Sequence, residues 1–218
     1  MGAKIQFVFL SNRNNRDILR AVLDSLYKIG WTFNHSNEGE YTYWIDGPVW
    51  MFGDSKTLYA KENKEYESII NDLASHFSPS ITLGADWFRK TVEARLSIIE
   101  KYNEWKEVMF SVDRYDVLDS YGTKQRDKII LRLCNIFTNI VSSLIPYYGF
   151  GATEVAGVVE SAEDLVVEED HLGDMNYFSN EAAKQLDLQK FKQTFKIDAV
   201  SNIGVLLIER NGLMELGS

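Results

Sequence analysis

The chain has 218 residues, of which 45% are hydrophobic, and it has a formal net charge of −9. This length and apolar content are sufficient for a hydrophobic core, which excludes wholesale disorder. The acidic balance argues against a nucleic-acid-binding protein and against attraction to anionic membranes, because both functions need a basic surface.

The first third of the chain alternates between strand and helix patterns. Runs of β-branched and aromatic residues bounded by turn residues predict strands, and apolar residues at helical spacing predict helices. Asn15 is expected to cap the first helix and Gly30 to end it. In chain order the predicted elements are strand 5–10, helix 15–29, strands 41–46 and 49–52, helix 61–77 and strand 81–83.

The middle of the chain has a clearer pattern. Apolar and polar residues alternate over 92–98 and again over 108–112, which predicts two half-buried strands joined as an antiparallel hairpin. A long amphipathic helix is predicted over 123–145, before Pro146. The remaining predictions are a turn rich in glycine and aromatic residues at 147–152, a short helix from Ser179 or Asn180, and a strand at 203–208.

This element order predicts an α+β fold with a mainly antiparallel sheet and helices packed on one face. Its βαββαβ elements indicate a ferredoxin-like arrangement. No linker rich in proline, serine or glycine divides the chain, so we expect a single domain over 1–218, with sub-units 1–86 and 87–218 as the alternative. No targeting signal and no membrane-spanning apolar run is found, so a soluble cytoplasmic protein is expected.

The negative charge is concentrated towards the C-terminus. Residues 1–146 have a net charge of −1, and residues 147–218 have a net charge of −8. Within the second part, the acidic segment, defined as residues 154–174, contains eight acidic residues and no basic residue. Two interpretations stay open: a solvated face, which is the commoner role of a charge run, and a docking surface for a basic partner.

No motif in the sequence dictates a cofactor or a metal. The three histidines are His35, His76 and His171, and none is four residues from another, so no helical metal-binding pair is expected. The single cysteine, Cys134, excludes an intramolecular disulfide and is expected to be an inert side chain of the long helix. The G-x-G sequence at 149–151 follows a helix rather than a strand, so it predicts a tight turn and not a nucleotide loop.

A catalytic site has only weak candidates. His171, Asp174 and Ser179 can be drawn as a hydrolytic triad or as the polar residues of a small-molecule cleft. Glu168 and Asp174 can be drawn as a carboxylate pair for glycoside chemistry. Because an acidic loop containing a serine and a histidine offers such combinations readily, we expect no catalytic residues, and the cleft is kept as the alternative.

Two short motifs frame the C-terminal part of the chain. Residues 144–151 read LIPYYGFG after the long helix, and residues 172–179 read LGDMNYFS before the short helix and the last strand. Over residues 120–210 this order resembles bacterial immunity proteins of polymorphic toxin systems. The resemblance implies a non-catalytic cytoplasmic protein that neutralises a cognate toxin by binding it tightly.

We therefore expect a protein-binding module whose acidic surface attracts a basic partner, since charge complementarity accelerates association. Neighbouring aromatic side chains would anchor the partner. The alternatives are an enzyme or small-molecule-binding protein and a structural subunit, and the oligomeric state stays open. The predicted partner-binding residues are Glu160, Glu163, Asp164, Glu168, Glu169, Asp170, Tyr147, Tyr148, Tyr177 and Phe178.

Overall fold

The computed structural model describes residues 3–33, 39–45, 54–59, 66–88, 90–101, 104–119, 121, 125–153 and 172–209. The strands in these ranges are β1 Lys4–Ser11, β2 Glu40–Trp44, β3 Ser55–Tyr59, β4 Phe77–Trp87, β5 Lys90–Glu100, β6 Lys106–Asp113, β7 Tyr148–Thr153, β8 Met175–Ser179, β9 Phe195–Val200 and β10 Gly204–Glu209. The helices are α1 Asn15–Lys28, α2 Tyr66–Ala74, α3 Arg126–Leu144 and α4 Asn180–Ala183, with a π-helical turn at Tyr115–Asp119 and a 3₁₀ turn at Leu188–Phe191.

The described strands form one ten-stranded sheet in the order β3-β2-β4-β5-β6-β1-β7-β8-β10-β9, and its neighbouring strands are all antiparallel. β1 lies inside this sheet, between β6 and β7, so strands from distant parts of the chain belong to one hydrogen-bonded sheet. The alternative domain boundary at residue 86 falls within β4, which pairs with β5 along most of its length.

The predicted ferredoxin-like α+β arrangement with helices on one face is wrong. Strands make up 44% of the described residues, in one wide sheet, rather than the four-stranded sheet of a βαββαβ unit. Helices also lie on both faces. Phe7 and Phe9 of β1 pack in the core formed with α1, α2 and α3, whereas Val8 and Leu10 pack in a second core with α4 and the 3₁₀ turn.

Helix and hairpin predictions in the first two thirds of the chain are confirmed, with shifted ends. Asn14, not Asn15, caps α1, since its side chain accepts a hydrogen bond from the backbone nitrogen of Asp17 at 2.9 Å. α3 ends at Leu144 because Ile145 adopts a left-handed backbone (φ 49°) directly before Pro146. The β5–β6 hairpin forms as expected, and α2 ends at Ala74, before β4 begins at Phe77, rather than at residue 77.

Several strands were not predicted. The strand expected at 81–83 is the centre of the eleven-residue β4, which begins at Phe77 and includes Pro79. β3, β8 and β9 were not predicted, although apolar Phe195, Ile197 and Ala199 alternate with charged Lys196 and Asp198 in β9. The strand expected at 49–52 lies outside the described residues. No helix in the described ranges combines the length and apolarity that crossing a bilayer requires.

The G-x-G sequence lies in strand β7, so the predicted tight turn is wrong. Gly149 pairs with Phe9 and Gly151 pairs with Phe7 on the neighbouring strand β1. A Cβ atom at Gly149 would lie 2.5 Å from Cδ1 of Phe9, and one at Gly151 would lie 2.6 Å from Cδ1 of Phe7. The glycines therefore leave space for two phenylalanine rings to lie across β7.

Candidate protein-binding surface

Three of the four predicted aromatic anchors are core residues. Tyr148 and Phe178 pack together with ring centroids 5.1 Å apart in the core beneath α4. Tyr177 is completely buried on the opposite face, and its hydroxyl donates a hydrogen bond to the carbonyl oxygen of Ile203 at 2.9 Å. Tyr147 is half-buried, so of these four it alone offers part of its ring to a partner.

Most of the acidic segment lies outside the described residues. This applies to His171 and to the predicted contact residues Glu160, Glu163, Asp164, Glu168, Glu169 and Asp170, whose binding role stays a prediction. The chain leaves the sheet at Thr153, the end of β7, and is described again from Leu172, just before β8. The segment is thus attached at one defined end of the sheet.

Asp174 is described, and it lies in a partly buried carboxyl pair. Its backbone oxygen accepts a hydrogen bond from the backbone nitrogen of Glu209 at 3.0 Å. Burial, together with the charge and hydrogen bond of the Glu209 side chain, raises the pKa of Asp174 to about 6. Beside it is a cavity of about 10 Å³, room for one water molecule, lined also by Thr153 and Leu133.

Ser179 has a structural role at the other end of β8. Its hydroxyl oxygen accepts a hydrogen bond from the backbone nitrogen of Ala182 at 3.2 Å and so caps α4. Ser179 follows Asp174 by five positions of extended chain, a distance of about 16 Å. The two side chains are therefore not brought together, as the predicted triad or cleft would require.

Two tyrosine residues of β2 are also internal. Tyr41 and Tyr43 are buried, and the ring of Tyr43 stacks on His76 with centroids 3.9 Å apart. Nδ1 of His76 lies 2.7 Å from the carbonyl oxygen of Asp72. Across the part of the chain that the structure describes, no three potential ligand side chains cluster around a metal-sized space.

An exposed aromatic and cationic surface that sequence reasoning missed lies at the β4–β5 hairpin. We call it the Phe88–Arg132 patch, and it consists of Phe88, Lys90, Tyr115, Tyr121 and Arg132, with the buried Trp87 beneath them. The guanidinium of Arg132, on α3, lies 4.6 Å from the ring centroid of Phe88 and 5.2 Å from that of Trp87. Its Nη1 donates to the backbone oxygen of Asp86 at 3.2 Å.

The patch is held by buried hydrogen bonds from the hairpin to the π-helical turn and its neighbour. The indole nitrogen of Trp87 donates to the carbonyl oxygen of Val117 at 3.1 Å. The hydroxyl of Tyr121 donates to the carbonyl oxygen of Trp87 at 2.7 Å, and its ring lies 5.3 Å from that of Phe88. Phe88 is therefore fixed at the surface, with 36% of its area exposed.

Sheet register places the patch at the end of the sheet to which the acidic segment is attached. Ala94 of β5 aligns with Val112 of β6, then with Ile5 of β1 and Thr153 of β7. Three strand spacings separate the ends of this row, a distance of about 14 Å. Lys90 lies four residues beyond Ala94 in the direction of the hairpin turn.

Comparison with known proteins identifies a fold but no family. No protein-family model matches the chain, and no curated protein matches it. Among solved structures, the chain is similar to the Pseudomonas aeruginosa T6SS (type VI secretion system) protein PA0821, with a TM-score of 0.52 and 12% sequence identity. The match covers 95% of this chain and 66% of that protein, so this chain spans about two thirds of its length. At this identity, the likeness shows a shared fold alone.

Proposed function

We propose that this chain is a non-catalytic protein-binding module that acts as an immunity protein, neutralising a bacterial toxin by binding it. The observation that carries the proposal is the similarity to a T6SS protein, which extends over 95% of the chain. The resemblance of residues 120–210 to immunity proteins supports the same function independently. Asp174 and Ser179, two residues of the competing cleft, are about 16 Å apart and have structural contacts instead.

The acidic segment gives this function a mechanism of capture. Seven of its eight acidic residues are in residues 154–170, so a basic toxin would be attracted towards one end of the sheet. Such attraction raises association rates and makes them dependent on ionic strength. The aromatic and arginine side chains of the Phe88–Arg132 patch lie at that same end, where they could contact a captured protein.

Co-expression with any protein encoded beside this gene that is toxic when produced alone tests the proposal. The expected result is restored growth of cells producing that toxin and a stoichiometric complex by calorimetry with the purified proteins. A toxin from an unrelated locus is the control and should not be neutralised. If the adjacent gene product neither binds the chain nor loses its toxicity, the immunity function is rejected.

Charge reversal tests the role of the acidic segment separately. The double variant Glu168→Lys and Glu169→Lys should slow association by about tenfold at low salt and reduce its salt dependence. The matched control reverses two exposed acids elsewhere, Glu104 and Glu181, and changes the net charge equally. Equal association rates for the two double variants would show that the position of the charge is irrelevant.

A further inference from the structure

We propose that the Phe88–Arg132 patch is the contact surface for a partner protein that presents a carboxylate beside an apolar side chain. The partner's identity as a toxin rests on the proposed function, whereas the chemistry of the contact comes from the patch. Arginine, tryptophan, tyrosine and phenylalanine are the residue types enriched in the energetic centres of protein interfaces.

Arg132 defines the charge of the partner. Its guanidinium has five N–H donors, and among the described residues they make one hydrogen bond, to the backbone oxygen of Asp86. Among the described residues, no carboxylate forms an ion pair with Arg132. Two aromatic rings orient the guanidinium, so its remaining donors can bind an incoming carboxylate in a bidentate manner.

Two described cations on the neighbouring elements, Lys90 and Arg114, are already paired. Nζ of Lys90 lies 2.6 Å from the carboxylate of Asp116, and Nε of Arg114 lies 3.1 Å from that of Asp119. Their charges are therefore largely compensated within the chain. Of these three described cations, Arg132 is the one without an ion pair to a described carboxylate, which favours a carboxylate over a basic side chain beside its guanidinium.

Phe88 supplies the apolar part of the contact at a conformational cost. It follows Trp87, which pairs with Lys90, so it is the first residue of a two-residue hairpin turn. Its φ is +54°, in the left-handed region that such turns fill with asparagine or glycine and that bulky residues rarely adopt. Backbone strain of this kind is concentrated at functional sites. Here the left-handed conformation of residue 88 places an aromatic ring outside the core.

Tyr115 is a second exposed aromatic residue of the patch, beside Lys90. It is 64% exposed, and Nζ of Lys90 lies 5.6 Å from its ring centroid. The described part of the patch therefore combines two exposed aromatic rings with the guanidinium of Arg132. A side chain such as leucine could contact Phe88 while a neighbouring carboxylate binds Arg132.

The decisive variant is Phe88→Asn, because asparagine tolerates the left-handed backbone that phenylalanine does not. It is expected to raise the melting temperature of the chain and yet weaken binding of the adjacent toxin by about tenfold or more. Arg132→Gln should weaken binding to a similar extent while the chain stays folded. The matched controls are Tyr59→Ala, an exposed aromatic on β3, and Arg95→Gln, an exposed arginine on β5, which should leave affinity unchanged.

If the toxin binds the wild-type chain and both patch variants bind it equally tightly, the patch is not the contact surface, although the proposed function stands. If the toxin does not bind at all, the proposed function fails. In that case, a peptide titration of the free chain tests whether the patch binds a carboxylate. The probes are the blocked tripeptides acetyl-Leu-Glu-Leu-amide and acetyl-Leu-Lys-Leu-amide at millimolar concentration, followed by nuclear magnetic resonance of the full chain.

The acidic tripeptide should shift the Trp87 indole N–H and the Arg132 Nε–H signals, and the basic tripeptide should not. Arg132→Gln should abolish these shifts. Equal shifts with both peptides, or none with either, would overturn the assignment. Sedimentation of the wild-type chain tests one more occupant: a dimer that Arg132→Gln dissociates would show that a second copy, not a partner protein, covers the patch.

Discussion

Replacing Gly149 with alanine tests how the rings of β1 lie across β7. The new Cβ atom would lie 2.5 Å from Cδ1 and 3.0 Å from Cε1 of Phe9. Because carbon atoms in contact are normally about 3.5–4.0 Å apart, the ring must move by about 1 Å. Phe9 is 1% exposed and its ring lies 5.1 Å from that of Phe137 on α3, so the core has little room for this movement.

The two opposing effects of this substitution can be compared in magnitude. Overpacking of a dense core costs about 1–3 kcal/mol. Alanine also restricts the unfolded chain more than glycine does, which stabilises the fold by about 0.4–1 kcal/mol. The clash exceeds this gain, so the expected net loss is about 1–2 kcal/mol, or a fall in melting temperature of about 2–8 °C for a chain of this size.

Urea and thermal unfolding, followed by circular dichroism, measure this loss. The matched variants are Phe9→Leu and the double variant, because the smaller leucine side chain leaves space for a methyl group at residue 149. The double variant should be more stable than the sum of the single effects predicts, by about 0.5 kcal/mol or more. Strictly additive effects, or a Gly149→Ala variant as stable as the wild type, would refute the packing argument.

Two other predictions concern the loop before β8 and its carboxyl pair. Because burial raises the pKa of Asp174 from 3.8 to about 6, wild-type stability should fall as the pH rises through this range. Asp174→Asn should remove that dependence and, in urea unfolding at pH 7, be more stable by about 1–2 kcal/mol after allowance for partial exposure. An unchanged pH profile would contradict this assignment. Asn176 is completely buried, and its amide bonds both the nitrogen and the oxygen of Gly173, at 3.0 and 2.6 Å. Asn176→Ala should therefore cost about 2 kcal/mol in the same assay, and a loss below about 0.5 kcal/mol would show that these bonds contribute little.

Local sequence patterns predicted a helix or strand correctly where the residues of that element alone determine its conformation. The helical periodicity of α1 and α3 and the strict alternation of β5 and β6 predicted each element, because a buried stripe or face leaves a direct mark in the sequence. The sequence patterns did not predict that β7 and β8 are strands. Glycines that weaken a strand in isolation are favourable in β7 because Phe7 and Phe9 on another strand occupy the space above them.

The candidate site also has one part that the sequence predicts and one part that only the folded chain shows. The concentration of charge in residues 154–174 could be identified from the sequence, but the strand β8 that follows this segment was not predicted. The Phe88–Arg132 patch could not, because its residues come from a hairpin, a π-helical turn and α3, which only the folded chain brings together. A phenylalanine in a tight turn gives no signal without the backbone angle of residue 88.

The sequence by itself determined that the chain folds around a large core, that its long helix and hairpin form, and that its negative charge lies near the C-terminus. Tertiary structure decided that the sheet is continuous, with β1 between β6 and β7 and helices on both faces. It also decided that Tyr148, Tyr177 and Phe178 are core residues and Phe88 a surface residue. The physical reason is that burial depends on which distant strands pair, and hydrophobic patterning within one segment does not specify that pairing.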